Sequence, residues 1–311
     1  MRGRDVRMRP ARQRGSSLLL VIWATMMMAF AVLGLVDYLG RGTDEGILEA
    51  KRFRARQLAE SGLVLARHPK VGPGDPLLVQ QVAPGVSYAV RTGTEGTRIA
   101  VNRLAGSRGL QAVTRRLLEG WGFDPVVARS LVDALCDWTD GDAVVRRYGA
   151  EEEVYLQLGR ADFPRNAAFR SLDELLWVPG MEELERRVPE WREWFTLYGD
   201  GKFDVNEMGV ELGVAVFAVE PEMARELVLR RYGADGVPLT EDDERFTSLD
   251  QVRRLLDFGR SRFALLEPLL TLAHPVKRTE SRATVGDQEL TLVELSGGGV
   301  QRIYEQREVG R

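Results

Sequence analysis

Charge disappears from the chain between Ser16 and Val36, where SSLLLVIWATMMMAFAVLGLV runs for 21 residues without an Asp, Glu, Lys or Arg. As a helix rising about 1.5 Å per residue this stretch extends roughly 31 Å, close to the hydrocarbon thickness of a bilayer. Six arginines (Arg2, Arg4, Arg7, Arg9, Arg12, Arg14) precede it, and Asp37 and Tyr38 follow. Basic flanks remain on the cytoplasmic side, so the pattern predicts export of the bulk of the chain. A cleaved signal peptide needs a shorter apolar core ending at small residues. Ala29-Phe30-Ala31 supplies that triplet, but Val32 to Val36 continues apolar past it, so the pattern favours an anchor.

Beyond the apolar run the hydrophobic period becomes helical. Between Ile47 and Arg67, Leu48, Ala55, Leu58, Ala59, Gly62, Leu65 and Ala66 share one face, while Lys51, Arg52, Arg54 and Arg56 lie largely elsewhere, and Pro69 ends the helix. Pro69 to Pro76 reads as turns. Val86 to Val101 then alternates with period two around Gly93-Thr94-Glu95-Gly96, which predicts a β-hairpin. Strand-like alternation returns at the C-terminus, where Arg282–Val285 and Glu289–Glu294 flank Gly286-Asp287, and Gln301–Gln306 follows Gly298-Gly299. Residues 106–270 between the two β regions are mostly helical by pattern. Strands on both sides of a helical block predict an α/β domain with an α domain inserted.

The block carries an internal echo. Val101-Asn102 and Val205-Asn206 each follow a short β run. Phe169-Arg170-Ser171-Leu172-Asp173-Glu174 and Phe246-Thr247-Ser248-Leu249-Asp250-Gln251 are near copies, both with a capping-box signature. Duplication and two similar helix starts both fit.

The composition, 44% hydrophobic and 29% charged over 311 residues, is that of a folded protein large enough for two cores. Cys136 is the single cysteine, which rules out an intrachain disulfide. After residue 15 the chain holds 37 basic and 45 acidic side chains, a net of −8. Residues 106–270 hold 21 basic and 32 acidic ones. Val178-Pro179-Gly180-Met181 resembles the turn of a helix-hairpin-helix, but a nucleic-acid module needs a basic surface, so the reading here is a turn between packed helices and no nucleic-acid partner. His68 and His274 each stand before a proline. HExxH, GxSxG and phosphate-loop motifs do not occur, which argues against an enzyme. The Trp191-Arg192-Glu193-Trp194-Phe195 cluster reads as core or interface.

Six carboxylates fall within 17 residues in Asp137-Trp138-Thr139-Asp140-Gly141-Asp142 and Glu151-Glu152-Glu153. They repel one another unless water or a cation screens them, and hard oxygen donors on turn-forming sequence suit Ca²⁺. The spacing does not follow the EF-hand, so composition alone fits both a solvated loop and a cation site.

Arg14-Gly15-Ser16-Ser17-Leu18-Leu19-Leu20, a basic leader ending in Gly before an apolar run, resembles the leader of type IV pilins and pseudopilins. The segment Ala55-Arg56-Gln57-Leu58-Ala59-Glu60-Ser61-Gly62 resembles that family's helix where it leaves the membrane. Most members carry Glu at the fifth mature position. Leu20 stands there here, and this departure, together with the Asp137–Tyr155 pattern, Pro164-Arg165-Asn166, Ser171 to Met181 and Leu197 to Lys202, resembles the K subunit of type II secretion systems.

The resemblance implies a leader (1–15) cut by prepilin peptidase between Gly15 and Ser16, with methylation of Ser16, then a transmembrane helix (16–36). It implies an α+β fold, a pilin-like α/β domain (37–105 and 271–311) carrying an inserted α-helical domain (106–270). It also implies a calcium site for which Asp140, Asp142, Glu151 and Glu152 are the candidate ligands by position. The function implied is a minor pseudopilin at the tip of the secretion pseudopilus, with pseudopilins I and J and the inner-membrane assembly platform as partners. The chain would be a single-pass inner-membrane protein with its large domain in the periplasm. A minor pilin of a type IV pilus or DNA-uptake apparatus is the alternative.

Overall fold

The computed structural model describes residues 16–240 and 242–310; Gly15 lies outside them. The apolar run and the amphipathic segment form one helix, α1 (Ser16–Ala66), of 51 residues. Leu18–Leu35 is its membrane-length apolar stretch and is fully exposed, as a lipid-facing segment would be. Further along, the face picked out by the helical period turns inward. Ala55, Ala59, Gly62 and Leu63 are buried, with Leu58, Leu65 and Ala66 partly so.

That face packs on a five-stranded antiparallel sheet. The strands are β1 (Val79–Ala83), β2 (Val86–Thr94), β7 (Lys277–Val285), β8 (Gln288–Gly297) and β9 (Val300–Gly310), in spatial order β1-β2-β7-β8-β9. Alternate positions meet across the ladder, with Tyr88 opposite Ala283 and Ala283 opposite Leu290. These, with Val86, Val90, Val285 and Leu292, form the core beneath α1. Each such large side chain contributes on the order of 1.5–3 kcal/mol by leaving water. At Gly62 the helix runs so close to the sheet that a Cβ would overlap Ser281 Oγ and lie 2.7 Å from Val90 Cγ2. At its end, Arg67 Nε donates to buried Glu294 of β8 at 2.8 Å.

The expected hairpin over 86–101 does not form. β2 pairs with β1 and β7 instead, and residues 95–97 make a 3-10 turn that leads away from the sheet. The cause is Glu95, whose amide donates to Val276 O at 3.0 Å and whose buried carboxylate meets Arg278 at 3.2 Å. The C-terminal strands form around the turns the sequence marks, but extend further on both sides.

Between Thr94 and Lys277 the chain builds a separate core. Its elements are β3 (Ile99–Ala100), α2 (Arg108–Gly120), α3 (Pro125–Thr139), α4 (Glu152–Gln157), α5 (Met181–Arg187), β4 (Phe195–Thr196), β5 (Phe203–Asp204), α6 (Val210–Phe217), α7 (Pro221–Arg231), α8 (Leu249–Leu255), α9 (Arg260–Ala264) and β6 (Leu270–Thr271). Trp138, Trp191, Tyr155, Phe195, Phe203 and Phe217 are among its largest fully buried side chains. Trp191 and Phe195 meet edge to face inside it, which answers the aromatic cluster as core. Gly180, at φ 92°, turns the chain between Val178 and Met181, both fully buried.

The sequence echo is a geometric repeat. β3 pairs in parallel with β4, and β5 with β6. Just past β3, Asn102 Nδ2 donates to Phe169 O (3.1 Å) and Leu197 O (3.4 Å), and its Oδ1 accepts from Phe169 N (2.8 Å). Just past β5, Asn206 Nδ2 donates to Phe246 O (3.0 Å) and Leu272 O (2.9 Å), and its Oδ1 accepts from Phe246 N (2.8 Å). Ser171 and Ser248 then cap the helical turns that follow. The same asparagine clamp appears twice, so the likeness in sequence extends to the hydrogen bonding.

Candidate functional site

The acidic stretch begins on α3. Asp124 caps this helix, its side chain accepting from Val126 N, and Pro125 opens it. Its inward face (Ala128, Leu131, Val132, Leu135) packs in the core; Asp137 lies about half a turn round from that face and is nonetheless fully buried. Asp140 follows the last turn, its amide donating to Cys136 O. Burial pushes the neighbouring Cys136 thiol up to about 12, so it remains a neutral core group.

A buried carboxylate needs partners, and the loop doubles back to provide them. Arg146 donates from its backbone amide to Asp137 Oδ2 (3.2 Å) and from Nη1 to Asp137 Oδ1 (2.6 Å). The same Nη1 also donates to Asp140 Oδ2 in a short contact. Ser130 Oγ donates to Tyr148 O at 2.8 Å and anchors the return of the loop. Gly149 passes Asp137 at a distance that leaves no room for a Cβ.

The four sequence candidates divide. Asp140 and Glu151 turn inward: Glu151 retains 8% of its exposure, and both Asp140 Oδ1 and Glu151 Oε1 are buried without a hydrogen-bond partner. Asp142 is exposed and accepts from Val144 N at 2.9 Å. Glu152 is exposed on the first turn of α4. Asp137 and Arg146, central to the geometry, are not among the four. An aspartate three residues before Asp140 on a helix, and a basic pair inside an acidic loop, are the signals that point to them.

Electrostatics follow from this placement. Burial, then repulsion from Asp137, Asp140 and Asp142, pushes Glu151 up to about 7. Burial also raises Asp137, against the hydrogen bonds from Arg146. Burial pulls Arg146 down, but its bonds to Asp140 and Asp137 outweigh this and hold it above the usual arginine value. Two buried, unpartnered carboxylate oxygens beside further negative charge are donors of the kind a hard cation takes. Among the described residues no three His, Cys, Asp or Glu side chains converge as a ligand set. Asp137 and Asp140 instead converge on Arg146.

Known proteins share both the sequence of this region and the fold that carries it. Residues 97–188, which include the whole acidic loop, match the family model for type II secretion system protein K. A protein K of Klebsiella pneumoniae type II secretion is 26% identical over 192 residues, or 55% of this chain, and the chain spans 59% of that relative's length. A chain of the GspK-GspI-GspJ crystal structure from enterotoxigenic Escherichia coli superposes with a TM-score of 0.60 at 17% identity. That match covers 87% of this chain and all of the other, and it shows the shared α+β fold.

Proposed function

We propose, from the premise that residues 97–188 form a type II secretion protein K domain, that this chain is a minor pseudopilin at the tip of the secretion pseudopilus. The observation that supports this most directly is the union of that domain with a 51-residue helix whose first part is apolar and exposed and whose second part packs on a sheet. The helix anchors the protein in the inner membrane and the remainder stands in the periplasm. Its role is to start or cap assembly and it carries out no chemistry of its own.

Pseudopilins I and J are the proposed partners, in line with the complex of the structural relative. Ile47, Phe53 and Val64 keep more than half their exposure on α1, which leaves apolar surface for neighbouring helices. The inner-membrane assembly platform and prepilin peptidase complete the set. Leu20 supports the tip position: the family's glutamate at that place would need a subunit above it, and a bare carboxylate in lipid is costly. Processing between Gly15 and Ser16, with methylation, belongs to the same reading.

The acidic loop supports a calcium site in which Asp140 and Glu151 supply the inward oxygens and Asp142 lies within electrostatic reach. Glu152 would have to turn inward from its exposed place. The ion would neutralise a repelling cluster and tie the end of α3 to the start of α4.

Co-expression of the full-length protein with I- and J-type pseudopilins, followed by detergent extraction, tests the reading. A stable ternary complex and a mature N-terminus at methylated Ser16 are expected. Long filaments of this protein alone, or a mature start near Val32, would overturn it.

A further inference from the structure

Arg146 and the unpartnered carboxylate oxygens divide the cluster between them. The two N–H bonds of Arg146 Nη1 are directed to Asp137 Oδ1 and Asp140 Oδ2, and a terminal guanidinium nitrogen has no more to give. Asp140 Oδ1 and Glu151 Oε1 are left buried without a donor. A single positive charge faces Asp137, Asp140 and Glu151, with Asp142 on the loop between. Glu151, 92% removed from solvent, provides no side-chain bond to the helix it caps, so its carboxylate has no local role that explains its burial.

Resting on the calcium reading above, we propose that Arg146 is a built-in stand-in for the cation and its competitor. Without an ion it holds Asp137 and Asp140, keeping the end of α3 and the loop closed. When calcium binds at Asp140 and Glu151, Arg146 gives up Asp140 and keeps Asp137 through its backbone amide and guanidinium. The arginine therefore lowers the affinity of the site while it removes the protein's dependence on it. Arg146 retains 29% of its side-chain exposure, so the guanidinium has a way out toward solvent.

The test uses full-length protein in detergent at fixed ionic strength. Calcium affinity is read by competition with terbium, whose luminescence the adjacent Trp138 sensitises, and thermal stability is read in calcium and in chelator. Arg146→Met keeps much of the stem and removes the charge. It should bind calcium about tenfold tighter or more, since one unit charge beside the ion is removed, and should lose thermal stability in chelator that calcium restores. A second measurement needs no variant. Arginine-specific modification of the wild type, read by mass spectrometry, should proceed faster at Arg146 with calcium than without. Calcium binding by the wild type with equal or weaker affinity in Arg146→Met, or with Arg146 no more reactive, overturns the proposal and leaves the calcium site standing. Absence of calcium binding in both proteins overturns the site itself and the proposal with it.

Discussion

A Cβ on Gly149 would overlap Oδ2 of Asp137, the oxygen that accepts from the Arg146 amide. The loop can close over a fully buried carboxylate because the residue passing it has no side chain. Gly149→Ala should force the two apart and destabilise the protein by about 1–3 kcal/mol, the usual range for overpacking. Urea denaturation of the full-length protein in detergent measures this, and a midpoint equal to wild type would refute the close approach.

Stability should depend on pH through Glu151. Its folded value is raised from 4.5 to about 7, so between those limits the folded state holds a proton that the unfolded state has released. The stabilisation is complete below about 4.5 and is lost as pH rises through 7. In chelator, thermal midpoints should fall across this window, and Glu151→Gln should flatten the decline. A decline unchanged in Glu151→Gln would assign it to another group, Asp137 being the next candidate.

The two asparagine clamps should contribute separately. Asn102→Ala strips Phe169 N of its acceptor, and Asn206→Ala does the same to Phe246 N. Each loss should cost about 1–3 kcal/mol, the penalty of a buried group left unpaired. If the copies are independent, the double variant loses the sum of the two; a loss well below the sum would mean they unfold as one clamp.

Arg278 ties the sheet to the helical part. It meets Glu95 at 3.2 Å and Glu280 in a shorter contact, and Arg98 nearby bonds Glu193 at 2.8 Å. Both arginine side chains are more than nine-tenths buried. Arg278→Ala should cost about 3–5 kcal/mol because it leaves buried Glu95 with only the longer 3.9 Å contact to Arg98. Arg278→Met with Glu95→Met should recover part of this, since replacing a buried pair with apolar groups removes the uncompensated charge. Urea midpoints of the three proteins decide the point.

What could be read in the sequence was what short-range periodicity encodes. The inward face of α1 follows from the spacing of Ala55, Ala59 and Gly62, and the C-terminal turns follow from Gly286-Asp287 and Gly298-Gly299. β1 was not legible, because Val79 and Val82 both stay exposed and the pairing is irregular between Gln81 and Ala83, so no alternation marks the strand. The hairpin expected at Gly93-Thr94-Glu95-Gly96 fails through Arg278, 183 residues away from Glu95. A local pattern cannot contain that partner. The acidic cluster was legible only as composition, six carboxylates close together; which of them turn inward, the burial of Asp137 and its capture by Arg146 depend on the loop's return path.

In the sheet, Thr94 and Lys277 are register partners on adjacent strands. The whole helical part is therefore, in topological terms, the loop of one enormous hairpin. During synthesis β2 is made long before the strand it pairs with. At roughly 5–20 residues per second the delay is on the order of ten seconds or more. Through that interval β2 has only β1 beside it, with its other edge bare. The Asn102 and Asn206 units have time to form first, and their folding carries Lys277 back toward Thr94. The order of events in time would thus run opposite to the order of layers outward from α1: the outlying part first, the sheet that mounts it last.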